Sequence, residues 1–227
     1  LSAGGVDPSV QHALESCLQC RACEAVCPAQ VRYGEIIELA RGVINEGRSV
    51  RFPMLGLAWR RPAITAKALS LGGRMLRVWP ALTHHLGRRA RWLLRAGKPV
   101  AVRQEGPAPS VLFTGCVARA LDSEAHAAIL RLARCCQLDL TPLANQSCCG
   151  ALARHVGART EATELVTRNA ANWSRASTVD LVALDSACIA ALRQQPSGVR
   201  VIEACRWLLD RQPSWTTQLR SIPQRIG

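Results

Sequence analysis

No stretch of about 18 uncharged apolar residues occurs in this chain of 227 residues, so nothing in it reads as a membrane-spanning helix. No signal-peptide pattern is visible among the residues present. A Gly-rich dinucleotide fingerprint and a coherent Ser-His-Asp set are both missing, which removes the common means by which such a chain would turn over a substrate alone. His12, His84, His85, His126 and His155 have no ligand-like spacing to one another; only His155 follows closely on a cysteine pair. Acidic residues are absent between Arg48 and Arg103, where 13 Lys or Arg residues fall, while the remainder of the chain holds 16 basic against 16 acidic residues. The whole net charge of +13 therefore sits in one segment. Such a face attracts anionic lipid headgroups, an acidic partner subunit or nucleic acid. No recognised nucleic-acid motif accompanies it, so nucleic acid is not the expected partner.

What the chain has is cysteine: eleven, an odd number. A disulfide scaffold would be a shorter secreted chain with paired cysteines. The spacing here favours metal and thiolate chemistry in a reducing, cytoplasmic compartment. Cys17, Cys20, Cys23 and Cys27 stand two, two and three residues apart and are closed by Pro28. That is the run of a bacterial-type 4Fe-4S cluster: three thiolates converge from a tight loop whose N–H groups offset the charge on sulfur. The alternatives are four buried cysteines at this spacing by chance, or a zinc knuckle. Zinc sites, however, usually split their ligands into two separated pairs. In two-cluster ferredoxins the fourth cysteine of each run serves the other run's cluster. One cluster is expected from this single run, and a second where an upstream segment or a partner chain supplies a companion run. Otherwise Cys27 turns inward and the site holds one cluster or none.

The length suits one or two domains. Residues 1–8 read as a connector, and Val10 to Ser16 as a short helix leading into the cluster loop. Tyr33 to Glu46 places Ile36, Ile37, Leu39, Ala40, Val43 and Ile44 at helical spacing, with Gly47 as the stop, a helix expected to shield the cluster from water. From Arg48 to Pro109, prolines at 53, 62, 80 and 99 punctuate basic helical pieces, among them Ala63 to Val78 and Ala81 to Ala96. Trp59, Trp79 and Trp92 lie among the arginines, which suits an interfacial or partner-binding surface, a peripheral membrane or quinone-side contact through 48–104 included; a solvated linker is the alternative. The domains expected are 1–47, 48–109 and 110–227.

Beyond Ser110 the pattern is α/β. Val111 to Thr114 reads as a buried strand, followed by a helix capped by Asp122 with Ala125, Ile129, Leu132 and Cys136 on one face. Leu138 to Leu143 is a second strand and Thr160 to Trp173 a helix with Leu165, Val166, Asn169, Ala170 and Trp173 on one side. Val179 to Leu184 and Val199 to Ile202 are further strands, and Glu203 to Arg211 a last helix. Alternating strands and helices imply a small parallel sheet with right-handed crossovers, after an all-α N-terminal part. Cys116, Cys148, Cys149 and Cys188 all fall in loops after strands, the edge where open α/β sheets place their sites. Gly150 permits the irregular backbone that two adjacent cysteines need to reach one site. Four thiols converging on a metal, iron-sulfur or zinc, is one reading; apolar core cysteines is the other. Cys135, Cys136 and Cys205 read as helical or core thiols.

Cys116, then Cys148-Cys149-Gly150, then Cys188 resembles the CCG cysteine-rich domain of heterodisulfide reductase subunits and glycolate oxidase iron-sulfur subunits. Cys17 to Pro28, continuing through Val31-Arg32-Tyr33-Gly34-Glu35 and Ala40-Arg41, is similar to the second ferredoxin run of the glycolate oxidase subunit. The resemblance covers nearly the whole chain. It implies an electron carrier that accepts electrons from flavin-bearing subunits oxidising glycolate and passes them towards membrane quinone, without catalytic residues of its own. Family members carry two runs and two CCG repeats; one of each is present here. A thiol-disulfide reductase of the heterodisulfide reductase type is the second expectation, although that form has a Cys-x-x-Cys pair where Asp185-Ser186-Ala187-Cys188 stands. A zinc-holding or cofactor-free docking module is the third.

Overall fold

The computed structural model describes residues 7–45, 61–78, 94, 96–101, 107–175, 179–194 and 198–211. Gly47, Pro53, Pro80, residues 81–93 and the tryptophans at 59, 79 and 92 lie outside the described residues.

Four short strands form one parallel sheet: β1 (Ser110–Phe113), β2 (Thr141–Pro142), β3 (Asp180–Ala183) and β4 (Arg200–Glu203), in the order β2-β1-β3-β4. Leu112 pairs with Val182 and Val182 with Ile202, so one register runs across the three longer strands. Every residue of β1 and β3 is buried, as central parallel strands covered on both faces must be. Alternation sorts their side chains. Val111, Phe113, Leu181 and Ala183 face one core with Leu165, Trp173 and Leu192, whereas Leu112, Val182 and Ile202 face the other with Ile129, Ala133 and Trp207. The first face is covered by α7 (Ala151–His155), α8 (Arg159–Arg175) and α9 (Ser186–Arg193). The second is covered by α6 (Ser123–Cys135) and α10 (Ala204–Leu209). The result is the α/β layering read from the pattern.

Two elements differ from their sequence reading. The buried face of α6 carries Ser123, His126, Ile129 and Ala133 and leaves Leu132 exposed. With alanine on several sides of this helix, apolar spacing did not single out one stripe. The strand expected over Leu138 to Leu143 shrinks to Thr141–Pro142, because proline has no N–H to donate to a ladder and belongs at a sheet edge.

The N-terminal part is helical: α1 (Pro8–Ser16), α2 (Ala22–Ala25) and α3 (Tyr33–Ile44). Asp7 starts α1 by accepting the Ser9 N–H at 2.8 Å, with Pro8 at the first helical position. Of α3 only Gly34 is buried; Ile36, Leu39 and Val43 remain 45–50% exposed, so the face expected to shield the cluster is largely open to solvent in this chain. Helix α4 (Pro62–Val78) buries Pro62, Ala66, Gly73 and Leu76. It packs on α5 (Ala118–Leu121), and Arg77 donates to the carbonyls of Leu94 and Ala96 at 2.6 and 3.1 Å.

Candidate metal centres

At the C-terminal edge of the sheet, the loops after β1 and β3 and the segment after β2 bring four cysteines together in two couples. Cys116 Sγ lies 3.4 Å from Cys148 Sγ, and Cys149 Sγ 3.2 Å from Cys188 Sγ. In a tetrahedral thiolate site with metal–sulfur bonds of about 2.3 Å, neighbouring sulfurs stand about 3.8 Å apart. Each couple is thus within reach of that edge by a small outward shift, and both are too wide for a disulfide. Among the described residues no three His, Cys, Asp or Glu side chains close around a single point. The convergence read from the sequence takes the form of two couples joined by the Cys148-Cys149 peptide.

The local backbone explains the couples. Gly150 sits at φ +85°, and a Cβ there would meet the Ala162 carbonyl at 3.2 Å, so glycine lets the chain turn away directly after the second sulfur. Gln146 fixes the loop before Cys116: its Oε1 accepts the N–H groups of Thr114 and Gly115 at 2.9 and 3.2 Å. Its Nε2 donates to Thr114 Oγ1 and the Leu143 carbonyl. Asn169, buried on α8, accepts the Ser147 N–H at 2.7 Å and donates to the Cys148 carbonyl at 2.9 Å. Asp185 accepts the N–H groups of Ala187 and Cys188 and starts α9 at the fourth sulfur.

Electrostatically the four thiols are held neutral. The hydrogen bond to Cys148, together with burial, pushes Cys116 far above the ordinary thiol range. Cys148 is drawn down by the bond it accepts from Cys116, but its bond to Cys149 and its burial outweigh this and push it up to about 12. For Cys149 and Cys188 an accepted thiol bond lowers the pKa, yet the opposing thiol bond at Cys149, and burial at both, leave each raised. The donor set is sulfur alone, buried and reachable by releasing protons, which fits a soft metal or an iron-sulfur group.

The N-terminal run is built differently. Cys20 and Cys23 are exposed, and Cys17 and Cys27 half-buried. Gln19 and Arg21 take positive φ of 51° and 59°, coiling the loop, and the Gln19 N–H donates to Cys17 Sγ at 3.4 Å. An N–H group directed at sulfur within a tight four-cysteine loop fits a cluster-holding run. Glu24 ties the loop to α3 by accepting the Gly34 N–H at 2.6 Å.

Arg41 joins the two regions. It donates to the Leu14 carbonyl at 2.6 Å and the Cys17 carbonyl at 2.6 Å on one side and to the His155 carbonyl at 2.7 Å on the other. Asn45 adds a bond to the Val156 carbonyl at 2.7 Å. Gly157 lets the two backbones touch, since a Cβ there would lie 2.7 Å from the Arg41 carbonyl carbon. A cavity of about 250 Å³ lies between the regions, lined on one side by Gln19, Cys20 and Arg21 and on the other by Ala151, His155 and Ala187. His155 thus lies between the two cysteine regions and contributes its carbonyl to Arg41.

Gln146, Asn169 and Arg41 were not identified as site residues by sequence reasoning. The available signals were a polar residue two positions before Cys148-Cys149 and an asparagine on an apolar helix face. Cys135 and Cys205 are exposed and Cys136 buried, all on or beside helices.

Residues 110–193 match the family model of the cysteine-rich CCG domain. The chain is 27% identical over 253 residues to the probable glycolate oxidase iron-sulfur subunit of Bacillus subtilis, an alignment covering 97% of this chain and 53% of that protein. It is 26% identical over 188 residues to the glycolate oxidase iron-sulfur subunit of Escherichia coli, covering 76% of this chain and 43% of that protein. The chain spans about half the length of the curated relatives it matches. No solved structure matches it.

Proposed function

Starting from a chain that carries a CCG cysteine-rich domain and is related to the glycolate oxidase iron-sulfur subunits, we propose that it is an electron-transfer iron-sulfur subunit of a flavin-linked 2-hydroxy-acid dehydrogenase. The observation that carries this reading is the gathering of Cys116, Cys148, Cys149 and Cys188 into two sulfur couples, in a chain whose N-terminal four-cysteine run is tied by Arg41 to the same domain. Cys17, Cys20, Cys23 and Cys27 would hold a 4Fe-4S group, and Cys116, Cys148, Cys149 and Cys188 a second thiolate-bound group. When bound, such a group takes up and releases single electrons. The residues of this chain position and insulate. Gln146 and Asn169 hold the loops that present the buried sulfurs, and Arg41 fixes the Cys17 loop against α7. Substrate chemistry belongs to the flavin of a partner, and electrons leave towards quinone.

The assignment of 1–47 to the cluster segment, 48–109 to a basic connector and 110–227 to the CCG domain belongs to the same proposal, as does a cytoplasmic, membrane-peripheral location. Supporting the last point, α4 exposes Ile64, Leu71, Met75 and Val78 along one face, with Lys67 and Arg74 among them and no acidic residue in its sequence. An anionic lipid surface is the occupant that fits apolar and cationic groups together. No described helix is long and apolar enough to cross a membrane.

The test is anaerobic mixing with a substrate-reduced flavoprotein 2-hydroxy-acid dehydrogenase. Visible absorbance of the chain should bleach on mixing, and a Cys20→Ser variant should lose the part of that response that belongs to the N-terminal run. A loaded wild-type chain that stays oxidised contradicts the proposal.

A further inference from the structure

We propose that the side-chain amide of Gln19 donates a hydrogen bond to the iron-sulfur group held by the Cys17 to Cys27 run and raises its reduction potential; this rests on the iron-sulfur reading of that run. Gln19 stands between two of the run's cysteines, in a left-handed backbone conformation that few side chains adopt. Its side chain is buried, the residue being 9% exposed, yet neither Nε2 nor Oε1 has a hydrogen-bond partner. An unmet buried polar group is destabilising, a cost that leucine, of similar size, would not carry. Gln19 and Cys20, neighbours in the chain, line the same cavity, so the buried amide stands next to a cysteine of the run. Four of the other polar side chains in the wall are engaged with one another: Arg21 pairs with Glu38 at 3.4 Å, and Arg154 donates to Gln194. Sulfur bound to iron offers the acceptor that the amide lacks. A donor aimed at such sulfur favours the more negative, reduced form and so raises the potential.

A redox titration of anaerobically prepared protein, followed by the paramagnetic signal that Cys20→Ser abolishes, reads the effect. Gln19→Leu removes the donor and should shift the reduced-to-oxidised ratio about tenfold towards oxidised at a fixed applied potential, equivalent to about 59 mV for one electron. Gln19→Glu keeps the shape, replaces the donor with a carboxylate, and should shift the ratio at least as far. Electron–nuclear double resonance should find an exchangeable proton coupled to the reduced centre in wild type and not in Gln19→Leu. Iron content equal to wild type establishes that each variant is loaded; where Gln19→Leu does not fold, Gln19→Glu decides. Ratios within about twofold of wild type in the loaded variants would overturn the proposal and mean that the amide merely meets water in the cavity. Iron-free wild-type protein is a separate result, which overturns the iron-sulfur reading of the run itself.

Discussion

The two cysteine regions of this molecule solve the same problem in opposite ways. Around Cys148 and Cys149 the sulfurs are buried, coupled in pairs and fixed by backbone bonds from Gln146 and Asn169 before any metal arrives. Around Cys17 to Cys27 two sulfurs are exposed, and the three helices nearby bury no residue except Gly34. A sheet edge can preorganise a site because two hydrophobic cores hold it from both faces. A loop between short helices has little core to draw on, so metal binding must supply much of its order. On the proposed reading, the first region is a scaffold that would receive a metal and the second would be shaped by one.

The largest expected effect separates them by loading. Cys20→Ser should abolish visible absorbance from the N-terminal run, while Cys205→Ser, at an exposed position on α10, should leave it unchanged. Removing iron from wild type should speed amide exchange in residues 7–45 by on the order of a hundredfold and leave 110–193 protected. Equal loosening of both regions would erase the contrast.

A smaller effect probes preorganisation itself. Gln146→Leu leaves the buried N–H groups of Thr114 and Gly115 without their acceptor and should cost about 2–5 kcal/mol of stability in denaturant unfolding, even in metal-free protein. An unchanged midpoint would mean that the loop before Cys116 is not held by that side chain.

The smallest effect concerns the far end of the sheet and sharpens the view of the C-terminal region as a self-sufficient scaffold. Asp180 accepts from Arg200 at 2.7 Å and from Arg211. Burial works to raise its pKa, but the two guanidinium groups outweigh it and hold the carboxyl below its ordinary value. The stabilisation is therefore complete above about pH 4 and lost as pH falls through the lower folded value. Asp180→Asn should flatten that acid limb in a pH series of thermal unfolding, and a limb of unchanged steepness would refute the assignment.

Much of this was legible in the sequence for a definite reason. Cysteine spacing and strand-end position require no knowledge of side-chain partners, so Cys116, Cys148, Cys149 and Cys188 could be grouped from order alone, and alternating strands and helices gave the parallel sheet. Residues whose work is to satisfy backbone groups far away in sequence were not legible. Gln146 meets the loop before Cys116 from more than 30 positions away, and Arg41 reaches His155 across 114. The buried stripe of α6 was misread because alanine signals neither face, and because the face buries the polar Ser123 and His126 where spacing had picked out Ala125 and Leu132.

The proposed function stands or falls on whether the N-terminal run binds an iron-sulfur group able to carry electrons. Iron and acid-labile sulfide, measured on protein made and kept without oxygen together with the paramagnetic signal after reduction, test it most directly. Electron relay predicts about four iron and four sulfide attributable to the run, with a low-potential signal lost in Cys20→Ser. Zinc alone, or colourless iron-free protein, would contradict it.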